Sequence, residues 1–457
     1  MSVSSGDTTG DATGDATGGT TGGTTRKRQS PLDPDAALRI AYLTYRGKQH
    51  VGGQGVYTRH LTKALVDLGH HVEVFSGQPY PVLDERIELH QLPSLDIWND
   101  QYPGRLPGYW EIKSRGDLAE VLTHIKGTFG EPLAFSVRVR KPLERRRREF
   151  DLVHDNQCLG TSILKIEKVI PTIVTLHHPI TRDRALEMAH APNRRKRRSI
   201  GRWYNFVKMQ GTVASQMPRI VVVSENSIKD IHADMGVGLD RMRLVPVGVD
   251  PALFKPVPGA ARQPGRLITT ASADVALKGL AYLLEAMAKL RTERDIRLTI
   301  IGKARQGASA ELIDTLGLRP YIDFVSGVSD ERIVELYSEA ELAVVPSLYE
   351  GFSLPAIEAM CTGICLVATD GGALPEVTGT DGETVLQCTA GDVESLTTAL
   401  RRGLDDAELR ARIGAAGRRR VVERWSWTHC AKLTVDQYRE VLAMPANVDK
   451  LRRNGRL

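Results

Sequence analysis

The sequence predicts an α/β protein of two domains, each built around a parallel sheet, and three observations carry that expectation. The chain has 457 residues, more than one ordinary hydrophobic core serves. Short β-rich runs alternate with stretches at helical spacing through most of its length, and such strand–helix–strand units force the strands parallel. Near the middle a segment dense in proline and glycine, GVDPALFKPVPGAARQPG, interrupts the alternation, as a linker between two such series would.

The elements follow in chain order. Residues 1–34 are rich in Gly, Thr and Asp, with repeats such as GDATGDATGG, and a segment that buries nothing cannot offset the entropy of ordering, so a disordered tail is expected there. The first domain is expected over 35–250. RIAYLTY near Leu38 reads as its first strand, followed by a glycine-rich turn from Gly52 to Gly55 and by VYTRHLTKALVDLG at helical spacing, a βα unit opening on a glycine loop. Gly69 is the expected stop of that helix, and HVEVFSG the next strand. Residues 93–132 carry Trp98, Tyr102, Tyr109 and Trp110 among prolines and glycines and sustain neither period, which reads as a long excursion. From Pro142 come a basic helix (PLERRRREF), a strand (DLVHDN), a helix, the strand PTIVTLHH, a basic helical stretch and the strand IVVVS. Beyond a linker over 251–265, the strands RLITTAS, RLTIIG, IDFVS, ELAVVPS and ICLVAT alternate with helices such as GLAYLLEAMAKL and SLPAIEAMCTG in a second domain over 266–425. A final helix is expected from Val421 to Leu442, with 426–457 forming a C-terminal helix and basic tail.

Composition narrows the function classes. Hydrophobic content of 41% and charged content of 25% are globular values, and no apolar stretch approaches the roughly 20 residues of a membrane span. The first residues lack the apolar core of a secretory signal, so a cytoplasmic protein is expected. Five cysteines, without paired CxxC spacing, read as small buried hydrophobes rather than metal ligands. The net charge of +6 is concentrated between Arg138 and Arg148 and in RRKRR at Arg194 to Arg198, either solvated faces or a surface for an anionic partner.

Two glycine-bearing features carry chemistry. In the loop Gly52, Gly53, Gln54, Gly55, glycines let backbone approach a phosphate at a helix start, although the GxGxxG order of a dinucleotide site is missing. In SLYEGFSLPAIEAM a strand ending at Ser347 meets a loop, and a helix begins near Ser353 as N-cap with Pro355 in its first turn. The amides of Gly351 to Leu354 and the helix dipole there suit an anionic diphosphate. Glu350 precedes this helix and Glu358 lies inside it, roughly 7 Å of rise from its start. The two carboxylates then serve opposite ends of one ligand, a sugar and a ribose, rather than a glycosidase pair flanking one bond. No Asp or His cluster has metal-ligand spacing, so no metal is expected.

With these residues in view the chain resembles the retaining glycosyltransferases of family 4. The matches run in register from Arg39 to Leu442: GGQGVYTRHLTKALVDLGHHVEV, His177 in VTLHH, Ser224 and Glu225 in VVVSE, GVDPALFKP, Lys278 with Gly279, IIG at Gly302, SGVSDERIVELYSEAELAVVPSLYEGFSLPAIEAM, and GGALPEV. The resemblance implies the GT-B fold, two Rossmann-like domains with an interdomain donor cleft and a C-terminal helix returning to the first domain. It implies a metal-independent retaining hexosyltransferase that takes a nucleotide sugar as substrate, needs no cofactor, and acts on a lipid, glycan or small-molecule hydroxyl. By the same resemblance Glu350, Lys278 and His177 would be catalytic. Gly53 would lie near the donor diphosphate, Val328 would present backbone to the base, Gly302 would be a further donor-binding residue, Gly351, Phe352, Ser353 and Leu354 would lie against sugar and phosphate, and Glu358 on the ribose. The sequence departs from the family where an Arg is common five or six residues before the Lys, because Ser272 and Ala273 stand there; Lys303 and Arg305 are the candidate replacements. Two other readings stay open: an epimerase or hydrolase sharing the donor cleft, and a non-catalytic basic protein binding membrane or nucleic acid. Nucleic acid is not the expected partner, whereas the basic segments could hold the enzyme on an anionic inner membrane face.

Overall fold

The computed structural model describes residues 29–47, 53–99, 104–270, 276–304 and 307–457. Most of the expected tail, together with Gly52, Tyr102, Ser272, Ala273 and Arg305, lies outside the described residues. Two all-parallel sheets form the scaffold. The first contains β1 (Arg39–Thr44), β2 (His71–Ser76), β3 (Glu88–Gln91), β4 (Leu152–Asn156), β5 (Thr172–Leu176), β6 (Ile220–Val222) and β7 (Met242–Leu244), in the order β3-β2-β1-β4-β5-β6-β7. The second contains β8 (Arg266–Thr270), β9 (Arg297–Ile301), β10 (Ile322–Val325), β11 (Leu342–Val345), β12 (Cys365–Thr369) and β13 (Leu386–Cys388), in the order β10-β9-β8-β11-β12-β13. Strand order reverses between β1 and β4 in one sheet and between β8 and β11 in the other. Doubly wound sheets bind ligands at such points, outside the carboxyl ends of the strands. The central strands β4, β5 and β12 are buried at every residue, which is why they read as apolar runs rather than alternating ones.

Four expectations are corrected by the structure. The first helix runs Gly53–Asp67, so Gly53, Gln54 and Gly55 form its opening turn instead of a loop ahead of it. The excursion over 93–132 contains a helix, Arg115–Ile125, with Ser114 and Asp117 in a capping box. Its pattern is inverted: Leu118, Leu122 and Ile125 are 47%, 47% and 70% exposed, while Asp117 and Glu120 are buried against Arg138. The basic helix starts at Glu131 and stops at Arg145, with Pro142 inside it; the remaining cations turn back, and Arg146 pairs with Glu73 at 2.8 Å and Glu149 at 2.6 Å. The helix expected from Val421 to Leu442 is two, Ala407–Arg424 and Trp427–Ala443, separated at Trp425 and Ser426.

That separation is where the chain returns to the first domain. Val249 pairs with Ser426, and a β-carbon on Gly248 would lie 2.3 Å from the Trp427 nitrogen, so the two crossings touch backbone to backbone. The helix Trp427–Ala443 then packs on Gly53–Asp67 and β5. Beyond it Arg456 Nε binds the buried Asp151 at 2.8 Å and Asn454 reaches the Val169 carbonyl at 2.8 Å. The short strands β3, β7 and β13, not anticipated from the sequence, sit at or next to sheet edges, where three or four residues carry little pattern.

Candidate active site

A cavity of about 320 Å³ opens between the two sheets at their carboxyl ends. Gly53, Gln157, His177 and His178 line it from the first domain, and Thr270, Lys278, Ile301, Glu350 to Pro355 and Glu358 from the second. Nine of the eleven expected site residues therefore meet there. Gly302 and Val328 do not line it: the Gly302 amide bonds the Val325 carbonyl at 2.8 Å, continuing the β9–β10 pairing, and Val328 is half-buried ahead of the helix Asp330–Glu339. Their neighbours Ile301 and Asp330 form the wall instead.

Glu350 follows β11 and is 8% exposed. Its Oε1 accepts from Lys278 Nζ and from Ser347 Oγ, both at 2.7 Å. Lys278 reaches it because Gly279 (φ 64°) lets the backbone pass against the Pro346 carbonyl, 1.9 Å from where a β-carbon would stand. Gly351 brings the backbone of the second domain against the first. A β-carbon there would meet the His177 carbonyl at 2.7 Å, and its own carbonyl accepts from Ser224 Oγ at 2.6 Å and Ser227 Oγ at 3.1 Å. Nearby, Glu376 accepts from the amides of Glu225 and Asn226 across the same interface, and Arg59 forms an ion pair with Asp330.

Ser353 occupies the N-cap position of the helix Leu354–Cys361 but does not cap it. Its φ is 89°, its hydroxyl is buried without a partner, and it makes no capping bond. A non-glycine residue held at positive φ stores strain of order 1–3 kcal/mol, which is typical of ligand sites. The amides of Phe352, Ser353 and Leu354 donate to no group among the described residues, so a helix start with unpaired donors faces the cavity. On the same helix Glu358 is half-buried, and no described residue hydrogen-bonds its carboxylate. Burial first, then the charge of Asp330, raise its pKa to about 7, with Arg59 acting the other way.

His177 is fixed in one tautomer. Its Nε2 lies 2.8 Å from Asn156 Oδ1, and Asn156 Nδ2 already donates to Thr58 Oγ1 at 3.0 Å. The amide oxygen is thus the acceptor, Nε2 carries the proton, and Nδ1 is left as an acceptor. Burial, then the neighbouring His178, lower its pKa to about 3, so the ring is neutral at physiological pH. His178 behaves oppositely: burial lowers it, but the Asp183 carboxylate at 2.9 Å more than offsets that and raises it. Sequence reasoning missed Asn156, Gln157, Arg59 and Asp330. Asn156 closes the strand DLVHDN and Gln157 follows it at the carboxyl edge of a parallel sheet, a positional signal that was available. Gln157 is held at φ 54° and clasps the histidine pair, accepting from the His177 amide at 2.8 Å and donating to the His178 carbonyl at 3.0 Å. Lys303 is exposed and not part of the wall. Arg59 and Lys278 are the cations of the lining among the described residues. Glu73, Glu88 and His90 converge at metal-ligand distance among the described residues, but they sit at the sheet edge with Arg146 on Glu73, not in the cavity.

Known proteins share this architecture. Residues 52–248 match the family described as the glycosyl transferase 4-like domain, and residues 257–420 the glycosyl transferases group 1. The MMP alpha-(1->4)-mannosyltransferase of Mycolicibacterium hassiacum is 49% identical over 412 residues, 90% of this chain and 100% of that protein. A D-inositol 3-phosphate glycosyltransferase of Paenarthrobacter aurescens is 25% identical over 89% of this chain and 97% of that protein. Among solved structures, sucrose-phosphate synthase from Thermosynechococcus elongatus superposes with a TM-score of 0.69 at 22% identity, covering 89% of this chain and 99% of that one. Anabaena HepE in complex with UDP-glucose does so with 0.66 at 16% identity, covering 88% and 99%.

Proposed function

The chain belongs to the glycosyl transferases of group 1, and we propose that it moves a hexose, specifically mannose, from a nucleoside-diphosphate sugar to an acceptor hydroxyl with retention at the anomeric carbon. One observation carries this reading: the Lys278–Glu350 pair stands beside unpaired amides at a helix start, and an unsatisfied carboxylate, Glu358, lies on that same helix. A sugar, a diphosphate and a ribose need those three kinds of group in that order. Lys278 and the amides of Phe352 to Leu354 neutralise the charge that develops on the departing diphosphate, the step where preorganised donors help most. Glu350 and the bare Nδ1 of His177 accept hydrogen bonds from sugar hydroxyls. With a lysine and a helix terminus in that role, no metal is expected on the diphosphate.

The choice of mannose, and of a glycan acceptor offering a 4-hydroxyl, rests on the 49% identity to an α-(1→4)-mannosyltransferase. The test is a donor panel of GDP-mannose, UDP-glucose and ADP-glucose read by thermal shift, since a donor at 100 times its Kd stabilises the folded state by about 2.7 kcal/mol. A GDP-mannose response, followed by transfer to α-mannosides only when acceptor is added, is the expected result. Donor consumption without acceptor supports an epimerase or hydrolase instead. Attachment to an anionic membrane face is a second element of the proposal, favoured by Arg194 to Arg198, all exposed on the helix Arg194–Trp203, and by the exposed stripe Leu118, Leu122 and Ile125. The PLERRRREF cations give less support, because Arg146 is held by internal ion pairs. No helix among the described residues is long and apolar enough to cross a membrane. Vesicles containing anionic lipid should pellet the wild type at low salt and release it when Arg194, Arg195, Arg197 and Arg198 are changed to Ser; failure of the wild type to pellet removes this element.

A further inference from the structure

Polar side chains inside a core cost stability unless each finds a partner, so a line of them through a domain calls for an explanation. Such a line crosses the first domain. Tyr438, on the returning helix Trp427–Ala443, is fully buried, and its hydroxyl lies 2.6 Å from His154 Nδ1. His154 Nε2 lies 2.7 Å from Thr175 Oγ1, and the Tyr57 hydroxyl lies 3.4 Å from that same oxygen. Tyr57 sets its ring edge against His177, with centroids 4.7 Å apart and planes at 87°. Trp427 reinforces the same wall, packing on Tyr57 at 5.9 Å and stacking on His60 at 5.0 Å. Tyr57, His60 and His177 all line the cavity.

His154 and Thr175 sit in strands buried on both faces, where aliphatic residues would fill the space without needing partners. With His154 neutral, either tautomer makes both contacts: Tyr438 donates to Nδ1 while Nε2–H donates to Thr175, or Nδ1–H donates to Tyr438 while Thr175 donates to Nε2. His177 is pinned by a hydrogen bond at Nε2 alone, about which its ring could swing. The edge-to-face packing of Tyr57 on His177 is the contact that stops the swing.

We propose that the line Tyr438–His154–Thr175–Tyr57 positions the His177 ring, which makes Tyr57 a positioning residue for transfer and the returning helix a part of the active-site architecture. The proposal rests on the reading of His177 as a contact to the transferred sugar. Its test compares Tyr57→Leu, Tyr57→Phe and Tyr438→Phe with GDP-mannose and UDP-glucose as donors. Since a 1 Å misplacement can cost a hundredfold, Tyr57→Leu should lower kcat about 30-fold with donor KM changed less than about threefold, Tyr57→Phe, which keeps the ring but cuts its link to Thr175, should lower kcat by only about threefold, and Tyr438→Phe, farther along the line, should lower it by no more than Tyr57→Phe. A second readout needs no donor: in 15N-histidine NMR the Nε2–H tautomer of His177 should give way to a tautomer mixture in Tyr57→Leu and persist in Tyr57→Phe. If the wild type turns over neither donor, the functional reading fails while the NMR comparison still decides the positioning role. Wild-type kcat in Tyr57→Leu, unchanged His177 signals, or losses in kcat and KM that simply follow Tm across the three variants would overturn it.

Discussion

Replacing Glu358 with Gln separates what this carboxylate costs the folded protein from what it does for the donor. Burial holds its pKa at about 7 against an ordinary 4.5, and at about 1.4 kcal/mol per pH unit the gap corresponds to about 3 kcal/mol of disfavoured ionisation. The side chain lines an open cavity and is half-buried by area, so water relieves part of this, and about 1–2 kcal/mol is the working figure. For an acid whose folded-state pKa is raised, the penalty is absent well below pH 4.5, grows between pH 4.5 and 7 and is complete above 7. Differential scanning calorimetry without donor should therefore give nearly equal Tm values for wild type and Glu358→Gln at pH 4. At pH 8 the variant should be the more stable, by about 2–8 °C if each kcal/mol moves a domain of this size about 2–4 °C. Donor reverses the order, because ribose hydroxyls donate to the carboxylate: GDP-mannose at pH 8 should stabilise the wild type more than the variant. Parallel pH profiles without donor, or a variant less stable than wild type at pH 8, would refute the assignment of an unsatisfied carboxylate at this end of the cleft.

The remaining predictions concern the other groups of the cavity. Glu350→Ala and Lys278→Ala should each lower kcat about 10²- to 10³-fold with far-ultraviolet circular dichroism unchanged, as expected for groups acting on charge in the transition state; normal turnover in either sinks their assignment. Gly351→Ala places a β-carbon 2.7 Å from the His177 carbonyl, so the domains should part, with raised donor KM and a larger radius of gyration by small-angle scattering; unchanged values would mean that this approach is not needed for closure. Activity in EDTA should equal that in buffer, and loss restored by Mn²⁺ would contradict the metal-free reading.

The parts of the fold legible in the sequence are those where the apolar face is the buried face. The strands around Leu43, Val174 and Val367 and the helix carrying Leu283 and Met287 have neighbours buried on the expected sides, and their runs and periods mark them. The helix Arg115–Ile125 was unreadable for the opposite reason, since it buries Asp117 and Glu120 against Arg138 and leaves its leucines outside. The helix start at the cavity was legible too, because a turn flanked by glycine, serine and proline is a local feature. Ser353 shows where such locality stops. Its sequence context promises an ordinary cap, yet it stands at φ 89° and makes no capping bond.

By itself, then, the sequence determined two series of parallel strands, because hydrophobic period and turn chemistry act over a few neighbouring residues, and its resemblance to the family pointed to nine residues that meet in one cavity. Only the tertiary structure decided which tautomer His177 adopts, how far Glu358 is shifted, that Arg59 faces Asp330 across the cleft, and that the final helices break at Trp425 to return to the first domain. The partners in those contacts stand 21 residues apart for Asn156 and His177, 271 for Arg59 and Asp330, and 284 for His154 and Tyr438. Hydrogen-bond geometry, desolvation and ion pairing at such separations depend on how the two sheets are stacked and closed, and no local pattern in the chain encodes that.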